Sequence, residues 1–358
     1  MNEEQQKIYN GAPEDPRSEE AKGQDFSHEE VASASPVNWV EKPKEQWRKF
    51  PTRDQDGSST CVAQACAKIE GVENALEEPD QPFIVFSARD IYERRANKPD
   101  DGMWGQDALN ICSKFGATTE DRLPSQKMSD AQINAPFTRT EEDLKIADKY
   151  RAGGYVAFKD INIDAIADVI LNKGKAVLLF IFAEWNEWVD VPTIKNPNLE
   201  RAKAPIRHGI AAVDAFLYKG EKSLLIDDSW GKFYGLEGQR ILTESWIKER
   251  VYFAGYLLDL SNKRDESIPV PPKPKYNFTR PLSFGVTGPD VVNLQNMLKF
   301  EELFPQKIAS TGKYLEQTAK GVKQWQIKHG IMDFANEKDV RKVRFGEKSI
   351  KLANQLYS

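Results

Sequence analysis

The chain of 358 residues is poor in the residues on which several common functions depend. It has three cysteines, Cys61, Cys66 and Cys112, an odd number that leaves at least one thiol unpaired and argues against a disulfide framework. It has three histidines, and two of them, His28 and His329, have no Cys or His at ligand spacing. Asp160, Asn162 and Asp164 alternate as in a calcium loop. Ala165, however, replaces the glycine such a loop needs, and Leu171 stands where its bidentate acid belongs. No glycine-rich phosphate loop follows a strand pattern, so neither metal nor cofactor is expected. Long apolar runs are missing: none would span a bilayer, and Met1 to Lys7 lacks the apolar stretch of a signal peptide. Synthesis in the cytoplasm and no membrane partner are the expectations. Long Lys/Arg runs are missing too, and with a formal net charge of -5 nucleic acid is not expected as a partner.

What is present is apolar content enough for real cores, 40% of a chain whose length suits one large or two ordinary domains. The most informative stretch runs Gln55-Asp56-Gly57-Ser58-Ser59-Thr60-Cys61-Val62-Ala63-Gln64-Ala65-Cys66-Ala67. A polar turn feeds a small-residue segment, which predicts a helix whose first turn holds Cys61. The unpaired N–H groups and positive dipole end of a helix favour a thiolate, the attacking form of cysteine. Gln55, on the approach turn, carries a side-chain amide able to donate to an oxyanion beside the sulfur. Cys66 and Cys112 fall at helical spacing among apolar residues and read as core.

Residues 1–35 are rich in Glu, Asp, Gln, Ser and Pro and read as a flexible tail, with a pro-segment or docking arm as alternatives. Order is expected from Pro36-Val37-Asn38-Trp39-Val40. Helices are predicted over Ala88 to Ala96, with Ser87 as N-cap, over Gln106 to Phe115, and over Asn162 to Lys173. Strands are predicted over Ala176 to Phe182, His208 to Leu217, Ser223 to Asp227 and Gly238 to Leu242. Helices followed by strands predict an α+β arrangement of two lobes.

His208 opens one predicted strand, and Asp228 closes its neighbour at Asp227-Asp228-Ser229-Trp230-Gly231. A hairpin near Lys219-Gly220-Glu221 would bring those two ends side by side. Cys61, His208 and Asp228 then compose a nucleophile, its base and the acid that orients the base. A satisfied core histidine is the other reading of His208.

The order Gln55, Cys61, His208, Asp228-Ser229-Trp230-Gly231 resembles the papain-like cysteine peptidases, with a Gln before the nucleophile, a distant His and an Asn-Ser-Trp-Gly segment. Val37-Asn38-Trp39 resembles the family's mature N-terminus, and Gly231 to Ile241 its glycine-rich stretch. The resemblance covers residues 36 to about 260 and implies a papain-like domain over 36–262, one helical lobe and one β-barrel-like lobe. It also implies that Asp101-Gly102 holds the substrate backbone and that Trp230 packs over the His–acid bond, although Gly102 reads equally as a turn glycine. Val62 departs from the family's aromatic residue, and Ser58 from its disulfide cysteine. Asp228 replaces an Asn, and a carboxylate there would carry the catalytic pair to higher pH.

Residues 263–280 include Ile268-Pro269-Val270-Pro271-Pro272-Lys273-Pro274-Lys275, an extended linker pattern. Beyond it, Asp290 is predicted to cap a helix with Val291, Leu294 and Leu298 on one face. Thr311 to Gln326 repeats the design, and Phe345 starts a last helix. Residues 281–358 resemble the small three-helix peptidoglycan-binding domain of wall-lytic enzymes. The resemblances together imply a peptidase for the stem peptides or cross-bridges of peptidoglycan, held to the bacterial cell wall by its C-terminal domain and reaching it after lysis or from a phage particle. A protein-processing peptidase of virion maturation and a catalytically silent binding protein are the alternatives.

Overall fold

A computed structural model describes residues 11–18, 22, 28, 36–188, 193–194, 206–258, 273–301, 303–304 and 309–357. Most of the predicted tail, the first ten residues of the linker (263–272) and the Arg201 to Pro205 approach to His208 lie outside them. The chain divides into two compact units, Met1–Pro16 with Ser35–Lys263 and Arg17–Ala34 with Arg264–Ser358. Among the described residues no helix is long and apolar enough to cross a membrane.

The first unit is organised around helix α1 (Cys61–Glu77), which starts at the predicted cysteine. Every residue from Cys61 to Asn74 is buried, so this helix has no solvent face and its polar side chains must be matched inside the fold. Gln64 accepts from Arg53 Nε at 2.7 Å and donates to Ser125 O at 2.9 Å. Lys68 pairs with Asp227 at 2.8 Å, and Glu73 accepts from Lys175 Nζ and the Ala176 N–H, both at 3.0 Å. Burial pushes the Glu70 carboxyl well up, which favours its neutral form.

Short helices follow: α2 (Ala88–Glu93), α3 (Gly105–Lys114), α4 (Asp130–Ile133) and α5 (Glu141–Lys149). Ser87 caps α2 as predicted, but the helix ends at Glu93, short of Ala96. Helices α4 and α5 were absent from the sequence reading, although Ser129 with Gln132 and Thr140 with Asp143 form capping boxes at their starts.

The unit continues through β1 (Tyr155–Ala157), α6 (Ile163–Leu171), β2 (Val177–Ala183), α7 (Trp185–Trp188), β3 (Thr193–Ile194), β4 (Ile206–Tyr218), β5 (Glu221–Asp227), β6 (Gln239–Thr243), α8 (Glu244–Arg250) and β7 (Val251–Leu257). The strands form one sheet in the order β1, β7, β2, β4, β5, β6, β3, antiparallel except where β3 lies parallel to β6. The barrel-like lobe of the expectation is thus a linear sheet with two very short edge strands. All seven residues of β2 are buried, which is why that strand reads as an unbroken apolar run. Strand β7, inserted between β1 and β2, was not predicted. The β4–β5 hairpin turns on Lys219 (φ 54°) and Gly220 (φ 79°), the paired left-handed residues that suit the twist of a two-residue hairpin loop.

The second unit contains β8 (Leu282–Ser283), α9 (Pro289–Phe300), α10 (Glu316–Lys328), β9 (Arg344–Phe345) and α11 (Glu347–Tyr357). Strand β8 pairs antiparallel with β9, so Phe345, predicted to start the last helix, is a strand residue instead. Asp290 does not cap α9. Proline's fixed φ suits Pro289 to the first helical position, which moves the cap back to Gly288. Asp290 accepts from Arg280 Nε at 2.6 Å and from the Tyr276 hydroxyl.

The unit repeats itself. In α9, buried Gln295 donates to Lys313 O and to Thr318 Oγ1, both at 3.0 Å. In α10, buried Gln326 donates to Arg344 O and to Ser349 Oγ, both at 2.8 Å. Each position lies 31 residues beyond its counterpart (295 to 326, 313 to 344, 318 to 349). A helix glutamine therefore clamps the segment that leads into the next helix, twice over.

Candidate active site

Cys61 is the first residue of α1, at the end of a turn that satisfies its own polar groups. Ser58 Oγ donates to Gln55 O at 2.7 Å, and the Ser59 N–H and Oγ bind Asp130 at 2.8 and 3.2 Å. The helix start is pressed against β4 at Gly209. A Cβ there would lie 2.9 Å from Val62 Cγ2 and 3.0 Å from Val62 Cα, so only glycine admits the approach. The Gly209 N–H then reaches Cys61 Sγ at 3.4 Å. A helix N-terminus and a backbone donor both face the sulfur, an arrangement suited to negative charge.

The β4–β5 register, which sets Ala211 opposite Asp227, brings His208 beside Asp228. His208 Nε2 and Asp228 Oδ1 are 2.8 Å apart, which leaves the other ring nitrogen for Cys61. Burial works against the charged ring, but the Asp228 carboxylate and the neighbouring Cys61 sulfur outweigh it and push the His208 pKa up to about 9. Burial likewise opposes the Asp228 charge, and His208 with Arg240 outweighs it, holding that carboxyl below its ordinary range. Asp228 Oδ2 accepts from Trp188 Nε1 at 3.1 Å and from Arg240 Nε at 3.0 Å. The Trp230 ring lies 5.3 Å from the His208 ring.

The two sequence blocks are stitched together by backbone. The Gln55 N–H donates to Ser229 O at 2.7 Å and the Gly231 N–H to Arg53 O at 3.0 Å. The Gln55 side chain joins the same seam. Its Nε2 donates to Ser58 O at 2.7 Å, and its Oε1 accepts from Ser229 Oγ at 2.6 Å. One of its two amide hydrogens is therefore spent on its own turn rather than aimed at an oxyanion.

Gly11 and Ala12, within the segment read as a flexible tail, are both buried within the first unit. A Cβ on Gly11 would lie 2.7 Å from Cys61 Sγ and 2.8 Å from Ser59 O. Gly102 (φ 75°) touches the same segment: a Cβ there would lie 2.7 Å from Gly11 O. The Met103 N–H donates to Gly11 O at 3.0 Å, the Tyr252 hydroxyl donates to Ala12 O, and Arg207 stands 3.9 Å from Glu14. Asp101, exposed, contributes its carbonyl to Asn97 Nδ2 at 3.3 Å. A segment too polar to form a core of its own can still be ordered by a groove already built. The signal in the sequence is that Ile8 to Pro13 carries no charge and ends in small residues.

Sequence reading missed Gly209, Trp188, Arg240 and Tyr252 as well as Gly11. The strands that carry Gly209 and Arg240 were predicted, and a basic residue in such a strand asks for a buried partner. Cys66 and Cys112 are fully buried, and burial pushes the Cys112 thiol well up, so neither competes with Cys61.

No family model matches the sequence, and no curated protein matches it. The structure is similar to that of xylellain, a cysteine protease from Xylella fastidiosa, with a TM-score of 0.54 and 19% identity over 70% of this chain and 96% of that one. It is also similar to procathepsin B S9 from Trypanosoma congolense, with a TM-score of 0.53 and 14% identity over 71% of this chain and 88% of that one. The chain thus has the α+β fold of the papain-like cysteine proteases.

Proposed function

We propose that the chain is a cysteine peptidase that cleaves peptide bonds by acyl transfer through Cys61. The observation that carries this reading is the His208–Asp228 pair, 2.8 Å apart and buried beside a cysteine that begins a helix. The sulfur attacks the scissile carbonyl, and the oxyanion is met by the Cys61 N–H and the second hydrogen of the Gln55 amide. His208 gives its proton to the leaving amine, and a thioester remains. Water then attacks the thioester while His208 takes its proton, releasing the acid and restoring the sulfur. Helices α1 to α3 and the sheet form the two lobes of this enzyme. Asp101-Gly102 and Met103 line the substrate track, and Trp230 covers the His208–Asp228 bond. Gly11 lies against the Cys61 sulfur and narrows access to it, so activity is expected to rise when this segment lifts.

The substrate in this reading is the stem peptide or cross-bridge of peptidoglycan, and the second unit binds the bacterial wall and raises local substrate concentration. The resemblance of residues 281–358 to a wall-binding domain supports it.

The test is the rate of Cys61 alkylation between pH 4 and 9, with Cys61→Ala and His208→Ala as controls, alongside hydrolysis of peptides and purified walls. The expected result is a reactive sulfur that depends on His208, together with release of new amino termini. A rate that follows an ordinary thiol titration and ignores His208→Ala would leave a binding protein of peptidase fold. Release from unfolded protein but not from walls, with no co-sedimentation of the chain with walls, would move the substrate to proteins.

A further inference from the structure

Asp228 brings a full negative charge into a site with almost no solvent. A lone buried carboxylate is costly, and one set against an imidazole has a second consequence: it holds the proton on the ring. The acyl-transfer cycle needs that proton released to the leaving amine. A partner that takes part of the charge without touching the imidazole would serve both needs.

Arg240 is in that place. It sits on β6, next to β5, whose last residue immediately precedes Asp228, and is fully buried. Its Nε donates to Asp228 Oδ2 at 3.0 Å, while its guanidinium lies over the Trp188 ring, 4.6 Å from the centroid. Trp188 Nε1 donates to the same oxygen at 3.1 Å. Two donors thus claim Oδ2 and turn Oδ1 toward His208. The neighbouring charges are already matched. Asp227 pairs with Lys68 at 2.8 Å, Glu187 with Arg250 at 3.1 Å, and Arg207, which precedes His208, lies near Glu14 and is half exposed.

We propose that Arg240 is the positioning residue of the site: it orients the Asp228 carboxylate on His208 and offsets its charge, so that the imidazolium still yields its proton. The proposal rests on the peptidase reading for its purpose, but its geometry is testable without any substrate. The direction of the Asp228 shift, to which Arg240 contributes, agrees with it.

The experiment is a pH titration of the imidazole nitrogens by 15N NMR on the full-length chain, which has only three histidines to resolve. In Arg240→Met the His208 midpoint moves up by about 1 pH unit, because the carboxylate is no longer offset. Arg240→Lys restores it most of the way, which a role in packing alone would not predict. In Asp228→Asn the midpoint falls, because the carboxylate no longer offsets the buried cation near the ring. Asp228→Asn/Arg240→Met, which removes both charges, brings it back up. This last pair measures the same Arg240–His208 coupling and decides the matter if Arg240→Met fails to fold. A His208 midpoint that stays put in Arg240→Met, or between Asp228→Asn and the double variant, overturns the proposal. Coupled midpoints without peptide hydrolysis would keep Arg240 in its place and remove the peptidase. Hydrolysis with uncoupled midpoints would do the reverse.

Discussion

The two units are held together on opposite plans. In the first, the contacts that build the site join residues far apart in the chain: Cys61 to Gly209, Gln55 to Ser229, Lys68 to Asp227 and Gly11 to Met103. In the second, each buried glutamine reaches the segment before the next helix and the start of that helix, only a short way ahead, and the device is used twice. Long-range closure places unlike side chains at one point, as acyl transfer requires, but each closure depends on a single ion pair or seam. Local repetition yields a unit whose parts are alike.

The largest effect is expected where the long-range plan rests on one buried pair. Lys68 and Asp227 tie α1 to β5, and both side chains are almost fully enclosed. Lys68→Met leaves the carboxylate without its cation, and the first unit should lose about 3–5 kcal/mol. Denaturant unfolding followed by near-ultraviolet circular dichroism checks this, together with the loss of Cys61 reactivity. Equal loss in both units would break the contrast between them.

A nearly equal effect comes from pH. His208 has its pKa raised in the fold, so its contribution is fully present below the unfolded value of about 6.5 and disappears as pH rises through about 9. The difference amounts to about 3 kcal/mol. Thermal melts of the first unit should fall over that window, and His208→Gln should flatten the profile. A profile unchanged by His208→Gln would mean that the histidine and Asp228 gain nothing from each other.

The same contrast explains what was legible beforehand. Cys61 at a helix start, the β4–β5 hairpin and the pairing of His208 with Asp228 all follow from local signals: a polar turn, Lys219-Gly220, and two strands of matching period. Strand β7 was missed because Val251 to Leu257 follows α8 without a turn signal. Gly209 and Arg240 were missed because their roles exist only once β4 meets α1 and β6 meets Asp228. In the second unit α9, α10 and α11 were legible from their apolar spacing, but Asp290 was taken for a cap because Pro289 was not read as the first helical residue.

Smaller effects sharpen the comparison within each unit. Gln295→Leu removes two donated bonds and the acceptor for the Gly312 N–H at 2.9 Å, and should cost about 1–3 kcal/mol. At the corresponding place in the second clamp Val343 directs its N–H to Val340 O, so Gln326→Leu breaks fewer bonds and should cost less. Thermal melts of the two variants check the ranking. Neither change should alter Cys61 alkylation, and if either did, the site would depend on the second unit.

The last test acts on the closure at Cys61 itself. A leucine at Gly11 cannot keep the present contact, since its Cβ would meet the sulfur at 2.7 Å and Ser59 O at 2.8 Å. Both are held by α1 and its approach turn and have little room to yield, so the segment must lift. Overpacking of this kind costs about 1–3 kcal/mol, which is of the same order as the few hydrogen bonds that dock the segment. Gly11→Leu should therefore expose the sulfur and raise its alkylation rate about tenfold in the full-length chain, with little change in melting temperature. An unchanged rate would show that Gly11 and Ala12 do not limit access to Cys61. A fall in both rate and stability would make the segment part of the fold of the first unit rather than a cover on its site.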